Sequence, residues 1–190
     1  MDATQEFRKR KCGKSLSKLI FQKNEIMVQN IHLLKALDYY PYAIEDCIES
    51  LNYALALESD NAVALCLMGR IHAEILKDFE TAKSYYQQAL FADKCYSEIY
   101  PNFIETLYEL EEYSEALRLV DFALKIKGVN KGAIFYKKAE IYDQMKEHKK
   151  ALKVLDETVL FARNQSFIDD IESFKKLIER KKNFKSKKQN

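Results

Sequence analysis

The sequence predicts an all-α protein built as a stack of helical hairpins. Ala54, Ala89, Ala123 and Thr158 recur at intervals of 35, 34 and 35 residues, and Cys47, Ala82, Ala116 and Ala151 each precede one of them by seven. Self-similarity at a period of about 34 residues marks stacked helix pairs. Only four glycines and two prolines occur in 190 residues, so turns are short and helix interiors mostly unbroken. A hydrophobic content of 47% excludes wholesale disorder, and no stretch alternates as a β-strand would. A single hairpin cannot bury its apolar face alone, so each requires neighbours.

Taken in order, residues 1–14 are polar and basic and read as a flexible N-terminus. Ser15 caps a long first helix reaching Tyr39, with Leu19, Ile26, Leu33 and Leu37 on its buried side. Pro41 opens the next helix, where its missing N–H costs little, and that helix runs to Glu58. Three further hairpins follow, with helices over 62–76 and 79–92, 97–110 and 113–126, then 131–144 and 147–161. The repeat domain is therefore 15–162, in units near 15–58, 62–92, 97–126 and 131–161. Gly128 and Gly132 bracket the last inter-hairpin turn as helix-terminal glycines. A capping helix over 166–184 carries Phe167, Ile171, Phe174 and Ile178 as one apolar stripe. Residues 185–190 form a basic tail.

The units resemble the tetratricopeptide repeat, whose pattern is W-x2-L-G-x2-Y, then A-x3-F, then P. The second unit reads Leu65-x2-Met68-Gly69-x2-His72, then Ala82-x3-Tyr86. The third reads Tyr100-x2-Phe103-Ile104-x2-Leu107, then Ala116-x3-Val120, and the fourth Phe135-x2-Lys138-Ala139-x2-Tyr142, then Ala151-x3-Leu155. The first unit keeps mainly Cys47-x3-Leu51 and Ala54. Ser59, Lys94, Gly128 and Arg163 stand where the pattern has proline, Ile104 is large where it has a small residue, and Pro101 falls in the first turn of its helix. The resemblance implies a right-handed superhelical solenoid in which Gly69, Ala82 and Ala139 let paired helices approach closely.

The same resemblance implies a concave groove lined by the first helices of the hairpins, taking an extended or helical segment of another protein. Carried over residue by residue, its lining is Cys66, Arg70, Ala73, Asn102, Glu105, Tyr108, Tyr136, Lys137, Glu140 and Asp143, extended by His32 and Ala36. Tyr108 and Tyr136 would anchor a peptide, and Glu105, Glu140 and Asp143 would favour a basic one. The family's clamp for a chaperone's C-terminal carboxylate is incomplete: Arg70, Asn102 and Lys137 are its nearest equivalents, but Cys66 and Ala133 occupy positions that need polar or basic groups.

Charge offers an alternative. The net +2 hides +5 over residues 1–23, +7 over residues 175–190 and −10 between them. Arg8–Lys11 and the tail lysines Lys181, Lys182, Lys185, Lys187 and Lys188 are suited to nucleic-acid phosphates, an acidic partner or the acidic body of a second copy. No sequence-reading nucleic-acid motif accompanies them.

No enzyme is expected. Cys12-Gly13-Lys14-Ser15 ends like a phosphate-binding loop, but Arg8 stands where its first glycine belongs. His32, His72 and His148 lie one to a helix without ligand spacing, so neither metal nor cofactor is implied. Cys66 lacks a neighbouring base. Cys12, Cys47, Cys66 and Cys95 are well separated and read as free thiols of a reducing compartment. With neither a signal-peptide pattern nor a membrane-length apolar run, a cytoplasmic location is expected.

Overall fold

A computed structural model describes the backbone of residues 31–188 and the side chains of residues 31–183. The readings on residues 1–30, including the Ser15 cap, Leu19, Ile26, Arg8–Lys11 and the Cys12–Ser15 motif, lie outside the described residues, as do the side chains of Lys185, Lys187 and Lys188. Among the described residues every regular element is helical. We number them α1 (residues 31–39), α2 (Ile44–Leu57), α3 (Ala62–Arg70), α4 (Phe79–Ala92), α5 (Ile99–Glu109), α6 (Tyr113–Ala123), α7 (Lys131–Gln144), α8 (His148–Thr158) and α9 (Gln165–Lys188). Among the described residues, contacts divide the chain between Ala64 and Leu65 into two compact units.

In the first unit α1 and α2 pair through small residues. Ala36 and Cys47 are fully buried, and the Cys47 thiol donates to the Ala36 carbonyl at 3.2 Å. Close approach thus satisfies a helix carbonyl as well as burying carbon. Pro41 does not open α2. It lies in a turn closed by the Tyr42 and Ala43 amides on the Tyr39 carbonyl, at 2.7 and 2.9 Å, and α2 begins only at Ile44. Those amides are satisfied by the preceding helix, so the turn completes α1 before α2 starts.

In the second unit the repeating small residues Ala82, Ala89, Ala116, Ala123, Ala151 and Thr158 are all fully buried. Thr158 satisfies its hydroxyl on the Val154 carbonyl at 2.7 Å, which lets a polar residue take an alanine's place. Gly69 does what the repeat pattern requires: a Cβ there would stand 2.7 Å from Cε1 of the buried Tyr86 ring. Gly132 has a different role from the one its sequence position suggests. It sits inside α7, where a Cβ would meet the Phe161 carbonyl and the Phe167 ring at 3.2 Å each; Gly128, at φ +89°, is the glycine that turns the chain.

Each hairpin of this unit turns on one left-handed non-glycine residue, Lys77, Glu111 or Lys146, with φ of 55°, 59° and 63°. After α5 and α7 the capping amides of Glu112 and Glu147 reach back to the Leu107 and Tyr142 carbonyls, at 2.9 and 2.8 Å. After α3 the equivalent Asp78 amide reaches one residue further back, to His72 at 2.9 Å. The extra residue is absorbed by a π turn, Ile71–Ile75, in which the Leu76 amide bonds the Ile71 carbonyl at 3.1 Å.

Ion pairs join successive hairpins: Lys83 with Glu112, Lys138 with Asp121 at 2.7 Å and Lys137 with Glu105 at 2.7 Å. The stack closes on α9, one residue earlier than Ser166, because Asn164 caps the Phe167 amide at 2.8 Å. Its Ile171 and Ile178 are fully buried in a core with Ala139, Ala151, Val154 and Leu155, flanked by Phe135, Tyr136, Phe167 and Phe174. No helix among the described residues is long and apolar enough to cross a membrane.

Candidate functional site

The first helices of the hairpins, α3, α5 and α7, carry the residues singled out for partner binding in the second unit. On α5 the positions Asn102, Glu105, Thr106 and Glu109 keep helical spacing down one face. That face forms one wall of a cleft of about 320 Å³. The opposite wall is Ala73, Glu74 and Lys77 from the π turn and the residues just after it, and Phe79 and Tyr86 belong to the lining. Three carboxylates and one ammonium belong to this lining, and two of the carboxylates already hold a cation from outside it, Glu74 with Arg70 at 3.2 Å and Glu105 with Lys137 at 2.7 Å.

Asn102 is oriented by its own helix, its amide donating to the Glu98 carbonyl at 2.8 Å. Arg70 lies beside Glu74 at 3.2 Å and does not line the cleft. Cys66 and Ala36 do not belong to an open lining: both are buried, and Ala36 faces its hairpin partner. Burial pushes the Cys66 thiol up to about 12 and outweighs the opposing charge of nearby Arg70, so at neutral pH it is no thiolate nucleophile. His32 and His72 pack on the Tyr53 and Tyr85 rings, at 5.2 and 5.3 Å between centroids.

A second cluster spans α5 and α7. Lys137 places its ammonium between Glu105, at 2.7 Å, and Glu140, and over the Tyr108 ring, 4.7 Å from its centroid. Burial pulls the Lys137 ammonium down, but the two carboxylates outweigh it and hold it above the ordinary lysine range. The Tyr108 hydroxyl accepts from the Gln144 amide at 2.8 Å. Glu105, Tyr108, Lys137 and Glu140 are therefore brought together, but as a mutually neutralising set.

Tyr136 and Asp143 turn elsewhere. The Tyr136 ring packs on Phe167 and Phe174 of α9, at 5.7 and 5.6 Å, and burial raises its hydroxyl above the ordinary tyrosine range. Asp143 has only 5% of its side chain exposed; it faces His148 Nδ1 at 3.0 Å and pairs with Lys181. Lys181, read from sequence as a tail lysine, is thus an internal partner of α7.

Glu74, Lys77, Phe79, Thr106 and Glu109 were missed by sequence reading. Thr106 and Glu109 were reachable, since they continue the helical spacing of Asn102 and Glu105. Glu74 and Lys77 were not, because the π turn that places them has no signature in the repeat pattern.

No protein-family model matches this chain, and no curated protein matches it significantly. Solved structures do. PilF of Pseudomonas aeruginosa is 19% identical with a TM-score of 0.68, over 83% of this chain and 74% of that one. YrrB, described as a TPR protein with an unusual peptide-binding site, is 17% identical with a TM-score of 0.66, over 90% and 84%. MamA is 21% identical with a TM-score of 0.62, over 70% and 78%. At these identities the likeness is one of fold.

Proposed function

The chain has the tetratricopeptide-repeat fold, and from that premise we propose that it is a non-catalytic interaction module holding a segment of a partner protein along α3, α5 and α7. The observation that carries this reading is the open, carboxylate-bearing cleft between the π turn and α5. Asn102 and Glu109 present polar groups there, and Glu105 continues the wall toward Lys137 and Tyr108. The surrounding helices hold these groups in place before a ligand arrives, so little ordering cost falls on the receptor. The partner segment carries a lysine or arginine that pairs with Glu109 and shares Glu74 with Arg70 and Glu105 with Lys137, with its aliphatic stem against Phe79 and Ala73. A structural relative described by its peptide-binding site is consistent with such a use of the fold. Tyr136 belongs to packing under α9, so its truncation would test folding rather than binding.

The test is selection of a random peptide library on the full chain, with affinity then measured on Asn102→Ala/Glu109→Lys. The reading expects enriched peptides with a shared basic position and a loss of affinity of about tenfold or more in the variant, the scale of one charge-assisted hydrogen bond. Peptides that bind the variant as tightly as wild type, or no enrichment at all, would refute it.

A further inference from the structure

A second cleft, of about 440 Å³, lies at the other end of this unit, between the α7–α8 turn and α9, its walls mainly the aliphatic parts of lysine side chains. Its lining is Lys146, Glu147, His148, Lys149, Lys150 and Lys182. Four lysines and one glutamate thus surround it. Lys150 is paired with that carboxylate, Glu147, and lies over the Tyr142 ring at 5.5 Å. Lys146, Lys149 and Lys182 have no ion-pair partner among the described residues, so three of the lysines around this opening carry charge without internal compensation.

This cleft has a braced geometry. Lys146 adopts the left-handed backbone conformation that ends the turn. Behind the turn, Asp143 holds His148 Nδ1 at 3.0 Å and Lys181 of α9, which ties the two walls together. The cleft opens beside the start of α8, whose N-cap residue Glu147 makes no side-chain capping bond, and the partial positive charge of an eleven-residue helix adds to the lysines.

We propose that Lys146, Lys149, Lys150 and Lys182 form a cradle for a phosphate monoester presented by a phosphorylated side chain of a partner protein. A phosphomonoester concentrates a charge of about −1.5 to −2 on one small group with three acceptor oxygens, which matches the uncompensated charge of the cleft better than a single carboxylate. Lysines serve it as point charges that need no bidentate geometry. No aromatic residue of the Phe, Tyr or Trp type lines the opening, so a nucleotide base would find no stacking platform, which argues against single-stranded nucleic acid. The site is independent of the α3–α5 cleft, so either can fail without the other.

The test uses the full chain, isotope-labelled for amide NMR. The probes are a Gly-Ser-rich peptide bearing one phosphoserine, the same peptide unphosphorylated, inorganic phosphate and an oligothymidine strand. The phosphopeptide should shift the amides of residues 146–150 and 182 saturably. Its affinity should fall about tenfold or more in Lys149→Gln/Lys182→Gln and stay unchanged in Lys125→Gln/Lys127→Gln, which removes equal charge elsewhere. Should the double variant melt below wild type, the single change Lys146→Gln takes its place, with a smaller loss expected. Equal losses in the two charge-matched variants would mean general screening and overturn the proposal. So would binding of the unphosphorylated peptide, a tighter response to the oligonucleotide, or inorganic phosphate binding as tightly as the phosphopeptide.

Discussion

Asp143 should be worth more to this protein than either group it holds. Its side chain is 5% exposed, that of His148 11% and that of Lys181 44%. Replacing Asp143 by Asn keeps the shape and one acceptor oxygen but removes the charge. Water can then solvate much of the exposed Lys181 ammonium, so that half of the interaction is nearly recovered. The His148 ring keeps only a neutral acceptor and cannot turn to water instead, so much of a charge-assisted bond worth about 1.5–3 kcal/mol is lost. The expected loss is therefore about 2 kcal/mol for Asp143→Asn and at most about 1 kcal/mol for Lys181→Ala. Stacked repeats can open one end at a time, so a single melting temperature is a blunt measure. Native-state hydrogen exchange should show protection lost first in α9, whose Lys181 is the far end of the link, with urea denaturation giving the total. A Lys181→Ala loss equal to or larger than that of Asp143→Asn would refute the reasoning, as would an Asp143→Asn protein within about 0.5 kcal/mol of wild type.

Burial sets two further outcomes. In Gly69→Ala the new Cβ falls 2.7–2.9 Å from three atoms of the Tyr86 ring, which is 1% exposed and stacked on Phe103 at 5.6 Å. Overpacking of about 1–3 kcal/mol then outweighs the helix-propensity gain of about 1 kcal/mol; urea unfolding should show net destabilisation, and a more stable variant would contradict it. The Cys66 thiol titrates at about 12 in the folded chain against an ordinary value of 9.0, so between those limits the unfolded state loses its proton first. The stability this group contributes is complete below pH 9 and declines as pH rises toward 12. Alkylation at pH 8 with peptide mapping should modify exposed Cys95 and spare Cys66 in the native protein, and equal labelling would refute the burial argument.

Repetition made part of the fold legible in the sequence. Ala82, Ala116 and Ala151 are small because two helix backbones meet there, and that requirement recurs with the period whatever the surface does. Helix starts and ends were readable to within a few residues for the same reason. Gly132 and Pro41 misled because their ordinary meanings are local, whereas Gly132 is small for the sake of Phe161 and Phe167 from a later part of the chain. Charges were the least legible. Glu140 and Asp143 counted equally as acidic groove residues, yet Glu140 shares Lys137 with Glu105 while Asp143 is enclosed by a turn and a closing helix. A long side chain chooses its partner after the helices are placed, so spacing alone cannot assign it.

The π turn bears on both proposals. The turns after α5 and α7 close one residue sooner than the turn after α3. The π turn takes up the added residue, so Lys77 ends its turn in the left-handed conformation that Glu111 and Lys146 adopt in theirs, while Glu74 lies inside the widened turn, which the other two hairpins lack. The wide turn has Glu74 on a cleft wall facing α5. The tight turn after α7 leaves Lys146, Lys149 and Lys150 beside α9, where Lys182 joins them. One repeated hairpin thus yields an opening lined by carboxylates and another lined by lysines, and the difference between them is local backbone geometry together with the side chains each turn carries. Charge changes at the two openings should accordingly act independently: Glu109→Lys should leave the phosphopeptide response intact, and Lys149→Gln/Lys182→Gln should leave library-selected basic peptides bound as before. Cross-effects between the two would mean that a single extended ligand spans both, and the separation argued from the turns would fail.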